Sequence, residues 1–212
     1  MRVAIFDLDG TLVDSREDLY RAVDHALRAL SLPPRSIDEV TSFVGEGAVR
    51  LVSQAIAPHD HLAGPALELW RGHYAEHLLD HTRLYPGIRA LLEGATAALA
   101  VHTNKPGAMA RRILDGLGVL SRFSVVVGGD DAPRKPDPTG TLEVLARLGA
   151  RPDEAVFIGD SRVDVETAAA AGVRMVAVTW GLVPLAELAR AGVATFATSA
   201  ADLAPWLAAG GS

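Results

Sequence analysis

The chain has 212 residues, 49% of them hydrophobic and 22% charged, which excludes a disordered or fibrous protein and suggests one domain carrying a sizeable insertion. It has no cysteine, so disulfides, thiolate metal sites and a cysteine nucleophile are excluded, and a reducing compartment fits. With 20 basic and 26 acidic residues the net charge is −6, which argues against nucleic-acid binding, and no apolar span reaches the roughly 18 residues a membrane helix needs.

The first predicted strand, Val3–Phe6, is four apolar residues cut off by Asp7. That run is too short and too acidic for a signal peptide, so a cytoplasmic protein is expected. Ser15 followed by Asp18 predicts a capping box, opening a helix with Leu19, Val23, Leu27 and Leu30 on one face. Pro33 and Pro34 stop it. A second helix starts near Ser36, Gly45 and Gly47 punctuate, and a third carries Val49, Leu51, Val52 and Ile56. After Pro58, a long pattern carries Leu67, Trp70, Tyr74 and Leu78, and Tyr85-Pro86-Gly87 reads as a hinge. Residues 15–83 are thus expected to form an all-helical insert.

The remaining chain alternates. Strands are predicted at residues 99–102, 125–127, 155–158 and 175–178. Between them lie helical patterns on Ala108, Ile113, Leu114 and Leu117, on Leu142, Leu145, Ala146 and Leu148, and on Val165, Ala168, Ala169 and Ala171. Strand–helix–strand units imply right-handed crossovers and a Rossmann-like parallel sheet sandwiched by helices. The expected division is an α/β domain of residues 1–14 and 84–212, interrupted by the helical insert. The only low-complexity stretch is the glycine–serine tail at residues 210–212.

His73, Glu76 and His77 have H-x-x-E-H spacing, and His81 would continue the row along the same helix face. The row permits a metal site, but it is equally a solvated polar face opposite Trp70, Tyr74 and Leu78, and that is the reading taken. His59 and His61 read as loop residues.

Chemistry concentrates at the strand ends. Asp7 and Asp9 follow the first strand, and a period of two puts both on one side, with Leu8 on the other. Gly10 permits a tight turn, and the backbone N–H groups beyond it suggest an anion-binding nest. Two carboxylates beside an anion site call for a cation, and Mg²⁺ would reconcile them. Thr103 and Asn104 follow the second strand, Lys135 lies in the loop after the third, and Asp160 follows the fourth, with Asp164 a turn later. Each alone is ordinary loop polarity or capping. Together, past the carboxyl ends of a parallel sheet, they supply a nucleophile, donors, a fixed cation and a metal carboxylate. Lys105 and Lys135 are the only lysines among 20 basic residues, and under such an arginine bias a remaining lysine is more often needed as lysine.

The sequence resembles the haloacid dehalogenase-like superfamily of Mg²⁺-dependent phosphohydrolases over nearly its whole length, including a helical cap inserted after the first strand. Within it, FDLDGTLVDS at residues 6–15, VGEGAVRLV at 44–52 and TNKP at 103–106 resemble phosphoglycolate phosphatases. So do VVVGGDD at 125–131, KPDP at 135–138 and GDSRVDVETAAAAGV at 159–173. Trp180-Gly181-Leu182 departs from the glycine–aromatic pair that members often carry there. The resemblance implies that Asp7 is the nucleophile, forming an aspartyl phosphate, and that Asp9 is the acid/base. It implies that Mg²⁺ is held by the Asp7 side chain, the Asp9 main-chain carbonyl and Asp160. Gly10, Thr11, Thr103, Asn104 and Lys135 would bind phosphate, with Asp164 behind Lys135 or metal waters. Glu46 and Arg50 would be cap contacts, Arg50 selecting a substrate carboxylate, and Lys105, just outside the strand end, would matter less than Lys135, through substrate binding. The expected partner is a small phosphate ester, most like 2-phosphoglycolate, with no nucleic acid and no membrane, in a monomer or homodimer.

Relatives differ in ways the residues address. Dehalogenases lack the second aspartate, and phosphonate-cleaving members use a cap lysine, which residues 15–83 do not contain. A sugar phosphomutase stays open, since Gly45 and Arg50 could take a second phosphate. A receiver-like signalling module would be shorter, without the insert or an acid/base at Asp9. A dinucleotide-binding module would need a G-x-G-x-x-G after the first strand, which is absent.

Overall fold

Strand β1 (Val3–Phe6) is buried along its whole length, as four apolar residues between two neighbouring strands must be. The computed structural model describes residues 1–208, so the tail at 210–212 lies outside the described residues. It divides into two compact units, one of Met1–Asp14 with the chain from Leu84 onward, the other Ser15–Arg83.

The first unit continues with β2 (Val13–Asp14). The helical unit then supplies α1 (Arg16–Ala29), α2 (Ile37–Ser42), α3 (Ala48–Ile56) and α4 (Ala63–Glu76). The chain runs on through β3 (Arg83–Leu84), α5 (Ile88–Gly94), β4 (Ala98–His102), α6 (Gly107–Gly116), β5 (Phe123–Val127) and α7 (Thr139–Leu148). It finishes with β6 (Ala155–Gly159), α8 (Arg162–Ala171), β7 (Arg174–Val178), α9 (Leu185–Arg190), β8 (Phe196–Ala197) and α10 (Ala204–Leu207). Six strands form one sheet in the order β5-β4-β1-β6-β7-β8, each neighbouring pair parallel, while β2 and β3 make a separate two-stranded sheet. The expected Rossmann-like parallel sheet with flanking helices is therefore what forms. The order reverses at β1: the chain steps outward one way through β4 and β5 and the other way through β6, β7 and β8. That reversal opens a crevice at the carboxyl ends beside β1, where ligands of such sheets bind.

Val3, Ile5, Ala100, Val125, Val127, Ala155 and Phe157 form one sheet face, packed on Val144 and Leu145 of α7 and Ala168 and Ala171 of α8. Phe157 is fully buried, and burying a side chain of that size stabilises by roughly 1.5–3 kcal/mol. The helical faces differ from the apolar spacing in the sequence. α7 buries Gly140, Thr141, Val144 and Leu145, and Leu142 stays 43% exposed. α8 buries Asp164, Thr167, Ala168 and Ala171. Both helices turn polar residues inward, because Thr141 and Asp164 have partners there that an apolar pattern cannot reveal.

One partner is His102, buried at the end of β4, its Nδ1 2.9 Å from the Thr141 hydroxyl. Burial, helped by nearby Lys135, holds His102 down to about 3 from its ordinary 6.5. The folded pKa lies below the unfolded one, so the stability tied to neutral His102 is complete above about pH 6.5 and is lost as pH falls toward 3. Between pH 7 and 5 that is about 2 kcal/mol. The unfolding free energy from urea titrations should therefore fall by that much more between pH 7 and 5 for the wild type than for His102→Asn, and equal pH dependence would disprove it.

In the helical unit, α1 buries Leu19, Ala22, Val23, Ala26 and Leu27, and packs on α4, which buries Ala66, Trp70 and Tyr74. Trp70 and Tyr74 stack at 4.8 Å. The box expected at Ser15 and Asp18 is absent, since the Ser15 side chain makes no cap bond. Asp18 instead accepts the N–H groups of His81 and Thr82 and the Thr82 hydroxyl, at 2.7–3.0 Å. A buried carboxylate with those donors fastens the returning chain to α1 and is held below its ordinary pKa; burial opposes this, and the Thr82 and His81 donors outweigh it. The box forms at Ser36 and Glu39, opening α2. α4 ends at Glu76 with His77 as its C-cap, so His81 does not continue the helix; its ring lies 2.9 Å from Asp18. The His73 ring sits between those of His25 and His77, at 4.5 and 4.3 Å. His61 lies in a short 3₁₀ turn. Among the described residues no helix is long and apolar enough to cross a membrane.

Candidate active site

Asp7 is the first residue past β1, and its N–H still follows the sheet, donating to the Ile158 carbonyl at 2.9 Å. Leu8 turns into the core and is fully buried. The Asp7 carboxylate, 9% exposed, meets Lys135 Nζ at 2.9 Å, and that nitrogen also lies 2.6 Å from Asp164. Two residues on, the Asp9 carboxylate meets Lys105 Nζ at 3.0 Å. Each aspartate thus has its own buried ammonium. Burial pushes Asp7 up to about 6, with Lys135 opposing and Asp164 and Asp9 adding to the rise. Burial also disfavours the Lys135 cation, but Asp164 and Asp7 outweigh it and hold the group charged.

Asp160, just past β6, accepts the Thr11 hydroxyl at 3.1 Å and the Leu182 N–H at 2.7 Å. Gly10 has φ +84°, and a Cβ there would stand 2.2 Å from an Asp160 oxygen, so only glycine lets β1 and β6 bring these groups together. Asp7, Asp160 and Asp164 offer carboxylate oxygens all within 4.8 Å of one another. Burial, then Asp164 and Asp7, raise Asp160 well above the ordinary carboxylate value. Three buried carboxylates against one ammonium form an oxygen-only donor set that fits a hard divalent cation. Asp164 is otherwise engaged. One oxygen faces Lys135, and the other accepts the Ser161 N–H and hydroxyl at 3.0 and 2.6 Å. Asp7 and Asp160 are the carboxylates left facing a metal.

The loop after β4 is held from behind by the loop after β5. Asp130 accepts the Gly107 N–H at 2.7 Å, and Asp131 accepts the Gly128 N–H and pairs with Arg111. Gly128 and Gly129 pack backbone to backbone on this loop; a Cβ on either would stand 2.2 to 2.4 Å from Gly107 N or Asn104 O. Asn104 donates to the Lys135 carbonyl at 3.1 Å and accepts the Lys135 N–H at 2.8 Å.

The structure therefore brings Asp7, Asp9, Thr11, Thr103, Asn104, Lys135, Asp160 and Asp164 to one end of the sheet, with different uses for some. The nest expected beyond Gly10 does not form from the Thr11 and Leu12 amides: both N–H groups donate to the Leu8 carbonyl, closing the turn. Asn104 spends its amide on the main chain of Lys135, so it positions that lysine. Thr103 Oγ1 accepts the Lys105 N–H at 3.2 Å, which leaves its own proton to donate. Lys105, expected to lie just outside, is 5% exposed and sits on Asp9. Its contact was invisible because Lys105 and Asp9 are far apart in sequence. Residues 180–182, which depart from the family pattern, also touch the site. Trp180 Nε1 donates to the Thr11 carbonyl at 3.2 Å and Leu182 N–H to Asp160, so this segment braces both. Glu46 and Arg50 lie in the helical unit, 3.7 Å apart and each 58% exposed.

A family model described as haloacid dehalogenase-like hydrolase matches residues 4–178. Phosphoglycolate phosphatase of Pseudomonas putida is 42% identical over 192 residues, covering 85% of this chain and 70% of that protein. Phosphoglycolate phosphatase of Rhodospirillum rubrum is 40% identical, covering 97% of this chain and 90% of that one. The solved structure of a predicted phosphoglycolate phosphatase from Haemophilus somnus superposes with a TM-score of 0.91 at 30% identity, covering 96% of each chain. The chain belongs to the haloacid dehalogenase-like hydrolases, and within them it is a phosphatase.

Proposed function

We propose that the protein hydrolyses 2-phosphoglycolate to glycolate and phosphate through an aspartyl phosphate on Asp7. The observation that carries the reading is the paired arrangement at the end of β1: Asp7 on Lys135 and, two residues on, Asp9 on Lys105. It gives one carboxylate to the phosphorus and another to the leaving oxygen. The relatives named phosphoglycolate phosphatase support the choice of ester. We assign residues 15–83 as the inserted cap and the rest as the core.

Asp7 attacks phosphorus in line; the P–O bond to the alcohol breaks, and Asp9 gives its proton to the departing oxygen. A water then loses a proton to Asp9 and attacks phosphorus, the Asp7 acyl phosphate bond breaks, and inorganic phosphate leaves. Lys135, fixed by Asp164 and by Asn104, places its charge on the transferring oxygens, and the Thr103 hydroxyl donates to another. Asp7, Asp160 and the Asp9 main-chain carbonyl would hold a divalent cation, Mg²⁺ in this reading, which would supply charge to offset the repulsion between carboxylate and phosphate.

Kinetics on a panel of phosphate esters test this. Turnover should require Mg²⁺, stop with EDTA, and give the highest kcat/KM for 2-phosphoglycolate. A different best ester would overturn the substrate, and metal-independent turnover the cation.

A further inference from the structure

We propose that Lys105 is the residue that selects the substrate: its ammonium takes the anionic group of the leaving alcohol beside Asp9. The inference rests on the reading of Asp9 as the group that protonates the leaving oxygen. A proton donor must lie within hydrogen-bond reach of that oxygen. Lys105 Nζ stands 3.0 Å from the Asp9 carboxylate, so it flanks the position the leaving oxygen occupies.

Three observations separate Lys105 from a lysine that merely neutralises a carboxylate. Its side chain is 5% exposed, so the charge is withdrawn from water and interacts strongly with whatever enters. Its main chain is pinned on both sides: the N–H donates to Thr103 Oγ1 at 3.2 Å, and the carbonyl accepts the Gly129 N–H at 2.9 Å. Lastly, the phosphoryl side already has its own ammonium, Lys135, 2.9 Å from Asp7 and locked by Asp164. A second buried cation is not needed there.

The class of substrate follows from the geometry. A carboxylate two bonds from the ester oxygen, as on 2-phosphoglycolate, would reach a cation sitting beside Asp9. An alcohol with a neutral group at that point would leave Lys105 without that second anion. Arg50, the other candidate for the carboxylate, is 58% exposed and faces Glu46 at 3.7 Å, where water screens both charges.

The test compares 2-phosphoglycolate with 2-phosphoglycolamide, which differ in charge and little in shape, on wild type, Lys105→Gln, Lys105→Met and Lys105→Arg. The readout is the ratio of kcat/KM for the acid over the amide, which is insensitive to a general loss of activity or of folded enzyme. The ratio should fall roughly 10²-fold in Lys105→Gln and Lys105→Met, the size expected when one partner of a buried charge pair is removed, and mostly through KM. Lys105→Arg should restore much of it. Competitive inhibition by glycolate, measured with para-nitrophenyl phosphate as substrate, should weaken in parallel in Lys105→Gln. A wild-type preference that survives both neutral variants would overturn the role of Lys105 and leave the phosphoglycolate reading standing. A wild type with no preference for the acid would overturn both.

Discussion

Replacing Asp7 with asparagine is expected to abolish turnover, a loss on the order of 10⁴-fold or more, while the protein stays folded. The two halves of that expectation share one cause. Asp7 is buried among like charges and pushed up to about 6. A neutral amide of the same shape relieves repulsion with Asp164 and Asp9 and forfeits only its pairing with Lys135. The cost therefore falls on chemistry, because an amide cannot displace an alkoxide from phosphorus. Rapid acid quench with a radiolabelled ester should trap phosphoenzyme on the wild type and none on Asp7→Asn. Asp9→Asn should behave differently. With a leaving group that needs no proton, such as para-nitrophenolate, it should form phosphoenzyme and then stall, since no base remains to activate water. Label on Asp7→Asn would remove the nucleophile assignment, and normal turnover by Asp9→Asn would remove the acid/base.

Lys135→Met should fail in two ways at once. The ammonium lies against both Asp7 and Asp164 at 2.6–2.9 Å, so its removal leaves three buried carboxylates without a cation. Breaking a buried pair from one side costs about 3–5 kcal/mol. Activity should fall by roughly 10² to 10³, because a fixed charge is lost from the transferring phosphoryl group. Urea denaturation and kcat/KM measured on the same preparation separate the two effects. Excess Mg²⁺ should recover part of the stability, since a divalent cation can balance the same carboxylates, and little of the rate. A variant as stable as the wild type, or within tenfold of its activity, would show that Lys135 does not carry the charge balance described.

Much of this architecture is legible in the chain because it is written locally. Val3–Phe6 and the later strands are short apolar runs ended by Asp, Thr or Gly, and their burial on both sides follows from composition alone. Asp7, Asp9, Thr103 and Asp160 stand just past strand ends and Lys135 in the loop after β5, and a parallel sheet gathers all such ends on one side. What stayed hidden depends on partners distant in sequence. Asp18 looks like a capping residue until the chain returns at His81 and Thr82 to claim it. Lys105 looks peripheral until the turn after β1 brings Asp9 to it. The buried faces of α7 and α8 are set by Thr141 and Asp164, which apolar spacing reads as outward. The two-residue strand β8 is too short to have a period at all.

The reciprocal tie between Asn104 and Lys135 has a further meaning for how such an enzyme can be rebuilt. Two segments separated by 31 positions share a pair of hydrogen bonds and a glycine-on-backbone seam. They act as a single part. Grafting the segment after β4 from a relative with another specificity would drag Lys135, the lysine proposed to bind phosphate, out of register unless the segment after β5 came with it. Any exchange of substrate preference along this rim, in the laboratory or over descent, has to move both pieces together.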